Sequence, residues 1–263
     1  RFELKARHFK ERKRMLRGTL RLCGAAVTGA VAYWHAVPAC EEGKGRTTRV
    51  EADILIPGRG PPINNGVVVM KGNKILYAGP RDQAPALGSH SSNTVLKVPC
   101  VMPGMWDCHV HFMVDGDFST KTHAETPFSL SFFQAAERMK RTLAIGITSV
   151  REAGGTDAGV KAARERGLIQ GPRMQIALTM ISQTGGHADS WEICGAHMPG
   201  MMDSHPGRPH PIVDGPEEMR KKVRELIRAG ADVIKVATSG GVLSPLSNPK
   251  HAHFRPDELD ALV

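Results

Sequence analysis

Two histidines separated by one residue, His109 and His111, end an apolar run that passes through Pro103-Gly104. Side chains alternate along a β-strand, so both imidazoles share one face. Same-face imidazoles at a strand end can hold one metal ion between two ring nitrogens. In a chain with 12 histidines the same spacing also arises as a structural pair. Val110, between them, points the other way, toward a core. Asp107 shares the histidine face and is either a partner that orients an imidazole or a solvated turn residue. Cys108 shares the opposite face with Val110 and reads as a small buried apolar residue.

The second chemically informative stretch runs from Val233 to Gly241, Val-Ile-Lys-Val-Ala-Thr-Ser-Gly-Gly. Its apolar start reads as a buried parallel strand with Lys235 inside it. A buried lysine must be paired with a carboxylate or lose its proton, because desolvation penalises the charge. Two readings are open: an ion pair, or a neutral amine that has taken up carbon dioxide to become an anionic oxygen ligand. A third feature is Thr184-Gly185-Gly186-His187-Ala188-Asp189, where glycines let backbone approach a ligand. His187 there is either a hydrogen-bonding group for a substrate carbonyl or carboxylate, or a solvated loop histidine.

These motifs occur in an order that resembles the amidohydrolase superfamily. The residues that carry the resemblance are Met102-Pro103-Gly104 through His111, Gly146 to Glu152 with Gly154-Gly155, Gly171-Pro172-Arg173, Gly185-Gly186-His187, and Ile234-Lys235-Val236 followed by Ser239-Gly240-Gly241. Together they are similar to the branch holding Xaa-Pro dipeptidases of amidohydrolase type and the imidazolonepropionase-like and ochratoxinase-like proteins. The resemblance spans about Arg49 to Val263. It implies a (β/α)8 barrel with its site at the C-terminal ends of the strands.

In such a site His109 and His111 bind metal from the first strand and Lys235, carboxylated, bridges two ions from the fourth. The cofactor so implied is one or two divalent metal ions, zinc before manganese, cobalt or iron. The reaction implied is hydrolysis of a carbon–nitrogen bond, in a small amide or dipeptide, by metal-activated water. The family also uses two later histidines and an aspartate base. These have no counterpart up to Val263, so the general base is expected beyond it. His251 and His253 lie in a Pro-rich loop too close to Lys235 to fill those roles. The alternative function is a non-catalytic half-barrel that binds a ligand or a complementing chain, or pairs with its own copy.

The elements that must position these residues are legible as patterns. Ala52–Ile56, Gly66–Met70, Lys74–Gly79 and Thr94–Val98 read as strands, the middle two joined at Lys71-Gly72-Asn73 as a hairpin. After the histidines the pattern becomes strand and helix in alternation. A helix over Phe128–Ile145 is followed by a strand at Ile147–Val150 and a helix over Asp157–Arg166. Then come a strand at Met174–Ile181 and a helix capped by Asp214 that runs to Arg228 before Gly230. This alternation implies a parallel sheet. The fold class expected is α/β, the N-terminal half of a (β/α)8 metal-dependent hydrolase barrel preceded by part of a small β-sandwich. The division is 1–48, a basic and apolar segment, 49–100, the partial sandwich, and 101–263, the half-barrel. Arg151 and Glu152 are expected to form an ion pair, and Asp115 and Asp117 to be solvated.

Much of the formal charge of +9 comes from the first segment. Met15 is a candidate start, with Met15–Arg21 as a basic region and Leu22–Trp34 as an apolar one. This pattern suits a signal peptide or membrane anchor, and secretion or membrane association, with a mitochondrial presequence as the alternative. Zinc-finger spacing, aromatic-rich RNA motifs and a basic recognition helix are absent, which argues against nucleic acid as a partner. Five cysteines without a CxxC pair argue against a complete disulfide framework.

Overall fold

A computed structural model of the chain describes residues 47–86, 93–114, 116, 120–191, 194–195, 197, 205–242 and 247–263. The basic and apolar run through Trp34, together with Asp115 and Asp117, lies outside the described residues. No helix among the described residues is long and apolar enough to cross a membrane.

Four strands form the first sheet: β1 (Thr47–Leu55), β2 (Ile63–Lys71), β3 (Lys74–Pro80) and β4 (Thr94–Val101), in the order β3-β2-β1-β4. β2 and β3 pair antiparallel as the expected hairpin, with Gly72 in the turn at φ 59°. β1 runs antiparallel to β2 and parallel to β4, and begins at Thr47. One face packs Val50, Leu55 and Val68 against Ile63, Met70, Val98 and Val101. Ile75, Leu76, Val95 and Leu96 remain exposed.

The Pro103-Gly104 corner leads into β5 (Met105–Val110), and the chain then alternates. In order come α1 (Thr120–Glu125), α2 (Leu130–Ala144), β6 (Ile147–Glu152), α3 (Ala158–Glu165), β7 (Arg173–Ile176), β8 (Met180–Ile181), α4 (Pro216–Ala229), β9 (Lys235–Val236) and α5 (Pro256–Leu262). β5, β6 and β7 are parallel neighbours, and β8 pairs parallel with β9. Successive parallel strands joined by helices are the opening units of a (β/α)8 barrel. The core between strands and helices holds Met139 of α2, Val150 of β6, Ile176 of β7, Ile181 of β8, and Met219 and Leu226 of α4.

Local chemistry explains the helix ends. Asp157 accepts the Val160 N–H at 3.0 Å and caps α3. α4 starts at Pro216, carries Glu217 and Glu218 in its first turn, and stops at Gly230, which is left-handed at φ 98°. Asp214, expected to cap α4, does not: Gly215 holds that place. The Asp214 carboxylate instead accepts the Thr184 N–H at 3.1 Å and its hydroxyl at 2.6 Å, tying the loop after β8 to the helix entrance.

Two strands differ from expectation. The third barrel strand is not continuous over Met174–Ile181. Thr179 N–H donates to the Ala177 carbonyl at 2.8 Å with Leu178 at φ 66°, a γ-turn that divides the strand into β7 and β8. The fourth strand is short, with ladder pairing at Lys235 and Val236 alone. Before it, the Asp232 and Val233 N–H groups both donate to the Ile176 carbonyl, at 2.8 and 3.4 Å. Lys235 is therefore only partly buried, not enclosed as the apolar run suggested.

Candidate metal centre

The ladder between β5 and β6 puts Asp107 opposite Val150 but Val110 opposite Glu152. Cys108 and His109 together therefore face the single residue Arg151, which is a β-bulge, a device that re-aims side chains. Asp107 Oδ1 accepts the His109 backbone N–H at 3.0 Å and braces the bulge. Arg151 Nε donates to the Cys108 carbonyl at 2.8 Å from the other side.

Three expectations change as a result. Asp107 holds backbone rather than an imidazole. Cys108 is exposed rather than buried, because the bulge interrupts the alternation. Arg151 and Glu152 do not pair with each other: neighbours along a strand point to opposite faces. Arg151 is exposed, while Glu152 is fully buried.

The bulge brings the two rings together. His109 Nε2 and His111 Nε2 lie 3.2 Å apart, with the rings inclined at 65°. His111 Nδ1 donates to the Gly154 carbonyl at 2.8 Å. A carbonyl only accepts, so the proton of a neutral His111 sits on Nδ1 and its Nε2 carries a free lone pair. Two imidazoles bound to one tetrahedral zinc at about 2.0–2.1 Å would place their nitrogens about 3.3 Å apart. The observed spacing and the donor already fixed on the far nitrogen of His111 both fit that requirement.

Lys235 and His187 belong to the same neighbourhood. Partial desolvation, then the charges of Lys235, His111 and Arg151, hold His109 below the usual imidazole range, against the pull of Asp107. Burial, then His253, Lys235 and His111, do the same to His187. The residues singled out at three separate strand ends thus lie within electrostatic reach of one another. The His187 ring lies directly on Gly241: a Cβ there would fall 2.0 Å from its Nδ1, so the close approach requires glycine.

His253, set aside as a loop residue, is 5% exposed and belongs to this group. Its N–H donates to the Thr238 carbonyl at 2.9 Å. The Nδ1 atoms of His187 and His253 are both buried without a hydrogen-bond partner. No local pattern announces His253, because its place depends on the return of the chain after β9. Among the described residues no three His, Cys, Asp or Glu converge on one point. The donor set is thus two imidazoles with a lysine beside them. A cavity of about 640 Å³ opens next to the His187 loop, lined by Thr184, Gly186, Asp189, Trp191, His210 and Ile212 among others.

Parallel strands with helices between them, and histidines gathered at the C-terminal strand ends, define a partial (β/α)8 barrel. The sequence matches the amidohydrolase family over residues 100–263, and the chain belongs to that family. It is 38% identical over 232 residues to ochratoxinase of Aspergillus niger, a match covering 84% of this chain and 48% of that protein. The crystal structure of A. niger ochratoxinase superposes with a TM-score of 0.71 at 34% identity, over 84% of this chain and 53% of that one. A prolidase complexed with N-methylphosphonate-L-proline superposes with a TM-score of 0.68 at 31% identity, over 82% and 52% of the two chains. The chain spans about half the length of the curated relatives it matches.

Proposed function

We propose that the protein is a metal-dependent hydrolase of carbon–nitrogen bonds, acting on a small amide or dipeptide. The observation that carries this reading is the His109–His111 pair, whose Nε2 atoms stand 3.2 Å apart with His111 Nδ1 already committed to a carbonyl. Family membership and the likeness to ochratoxinase and a prolidase support the amide class.

His109 and His111 supply two neutral nitrogen ligands, and the lowered affinity of His109 for protons favours that state near neutral pH. Lys235, once carboxylated, supplies an oxygen ligand from β9. Nitrogen-rich ligation of this kind suits zinc. His109, His111 and carboxylated Lys235 would hold a divalent ion, which would supply polarisation of the scissile carbonyl and activation of water. His187, resting on Gly241 with its Nδ1 edge buried, presents Nε2 to the carbonyl or carboxylate of the substrate. Binding without turnover is the second reading. It is favoured by the absence, among the described residues, of three convergent ligand side chains.

Titration of the metal-free chain with cobalt(II) tests the proposal, because tetrahedral coordination gives a visible absorption band. The wild type is expected to show the band and to hydrolyse acyl-proline dipeptides or aromatic amides in a chelator-sensitive way, while H109A and H111A lose the band. A wild-type chain that binds no cobalt, or turnover indifferent to chelators, sinks the metal reading. Saturable binding of such amides with no hydrolysis selects the second.

A further inference from the structure

Every backbone polar group from the Ala153 N–H to the Gly155 carbonyl, save the Ala153 carbonyl, has an identified partner. Ala153 N–H donates to the Val110 carbonyl at 2.9 Å. Gly154 N–H donates to Glu152 Oε2 at 3.1 Å. The Gly154 carbonyl accepts from His111 Nδ1 at 2.8 Å. Gly155 N–H donates to the Leu178 carbonyl at 2.8 Å. The Gly155 carbonyl accepts from Arg208 Nη1 at 2.8 Å.

Both glycines have positive φ, 132° and 109°, and both are buried. Leu178, whose carbonyl holds Gly155, is itself at φ 66°, a conformation costly for a branched side chain. A Cβ on Gly155 would lie 3.7 Å from Glu152 Oε1 and 3.7 Å from Arg208 Nη1, so the carboxyl and the guanidinium converge on this glycine pair. Glu152 is fully buried and Arg208 is 5% exposed. Burying two ionisable side chains is expensive unless they act on something. Here both act on a segment whose Gly154 carbonyl accepts from a histidine of the candidate metal pair.

We propose that Glu152 and Arg208 are positioning residues for His111: by clamping the Gly154-Gly155 peptides they aim the Gly154 carbonyl at Nδ1, fix the Nδ1-protonated tautomer, and so keep Nε2 free toward His109. The inference rests on the metal reading above for its consequence, but its geometry stands in the metal-free chain. Glu152 is a positioning residue, not a ligand. It acts through one residue, Gly154: the Glu152 carboxyl accepts from the Gly154 N–H, and the Gly154 carbonyl accepts from the His111 ring.

The test is nitrogen-15 NMR of the histidine side chains in the full, metal-free chain, combined with cobalt(II) titration and thermal unfolding. In the wild type His111 should show a protonated Nδ1 and a bare Nε2. E152A should give mixed tautomers and roughly 10- to 100-fold weaker cobalt binding, the range found when groups supporting a ligand are removed. E152Q retains an oxygen acceptor for the Gly154 N–H and should keep both the tautomer and the affinity. E152M fills the same space without an acceptor and should behave as E152A; that contrast with E152Q separates positioning from bulk packing. R208Q should weaken cobalt binding in the same direction as E152A.

A wild-type His111 protonated on Nε2, or a folded E152A with unchanged tautomer and affinity, overturns the proposal. Should E152A fail to fold, the wild-type tautomer and R208Q still decide it. Loss of cobalt binding in the wild type with the Nδ1-protonated tautomer intact would overturn the metal reading alone and support the positioning role.

Discussion

At the residue scale the chemistry rests on side chains whose partners lie far away in sequence. His111 is held by a carbonyl 43 residues on, and the glycine pair that supplies it is held by Glu152 on one side and by Arg208, 53 residues beyond Gly155, on the other. Glu152 has a consequence for stability. Burial pushes its carboxyl up to about 7 from 4.5, against the hydrogen bond from the Gly154 N–H. Between those two pH values the native chain keeps a proton that the unfolded chain has released. Stability therefore falls as pH rises through this window and levels off above it. The total is on the order of 3 kcal/mol as an upper figure, from about 1.4 kcal/mol per pH unit. E152Q should remove this slope, so thermal melts of the two chains between pH 4.5 and 8 should converge at the acid end and diverge toward neutral. Parallel curves would contradict it. Asp107 offers a second check. Its carboxylate braces the bulge through one backbone bond, so D107A should cost about 1 kcal/mol of stability. It should also weaken cobalt binding through His109, read from the same titration.

At the element scale the decisive features are irregularities. The β5 bulge turns His109 toward His111, and the γ-turn at Leu178 hands a carbonyl to Gly155. L178G would relieve backbone strain of roughly 1–3 kcal/mol. It would also delete a fully buried leucine side chain, a loss of about 2–5 kcal/mol. The side chain outweighs the strain, so a net loss of stability is expected, and a gain in melting temperature would show that the strained turn outweighs the buried leucine. Gly241 tests the loop after β9. G241A places a methyl 2.0 Å from His187 Nδ1 and must displace the ring. Substrate affinity should drop several-fold, read as a raised KM, while cobalt binding by His109 and His111 stays near wild type. An unchanged KM would remove His187 from the substrate side.

For the whole molecule, apolar surface is the physical concern. Trp106 is 56% exposed on β5, and Ile75 and Leu76 stand exposed on β3. β5 has no neighbour on its outer edge among the described residues. An open edge beside apolar side chains favours pairing with another chain. Covering the exposed part of one tryptophan is worth roughly 2–3 kcal/mol at about 25 cal/mol per Å². Sedimentation velocity should show concentration-dependent association, reduced by W106K together with L76K. A monomer at every concentration would mean these faces do not drive association.

The sequence alone determined which residue types meet and on what scaffold. His109, His111, His187 and Lys235 were legible as candidates because each sits in a short motif at a strand end. The alternation of strands and helices was legible because burial imposes periods of two and 3.6 residues on local sequence. The γ-turn inside Met174–Ile181 was not, since no Gly, Pro or Asn marks it and the Leu178 carbonyl at its centre is engaged by the distant Gly155 N–H. Tertiary structure decided the rest: the bulge that exposes Cys108, the short pairing that leaves Lys235 partly open, and the entry of His253. It also decided that the buried side chains of Glu152 and Arg208 converge on Gly154-Gly155. The reason is physical. Long-range hydrogen bonds and buried charges leave no local periodicity, and they exist only once distant segments have packed.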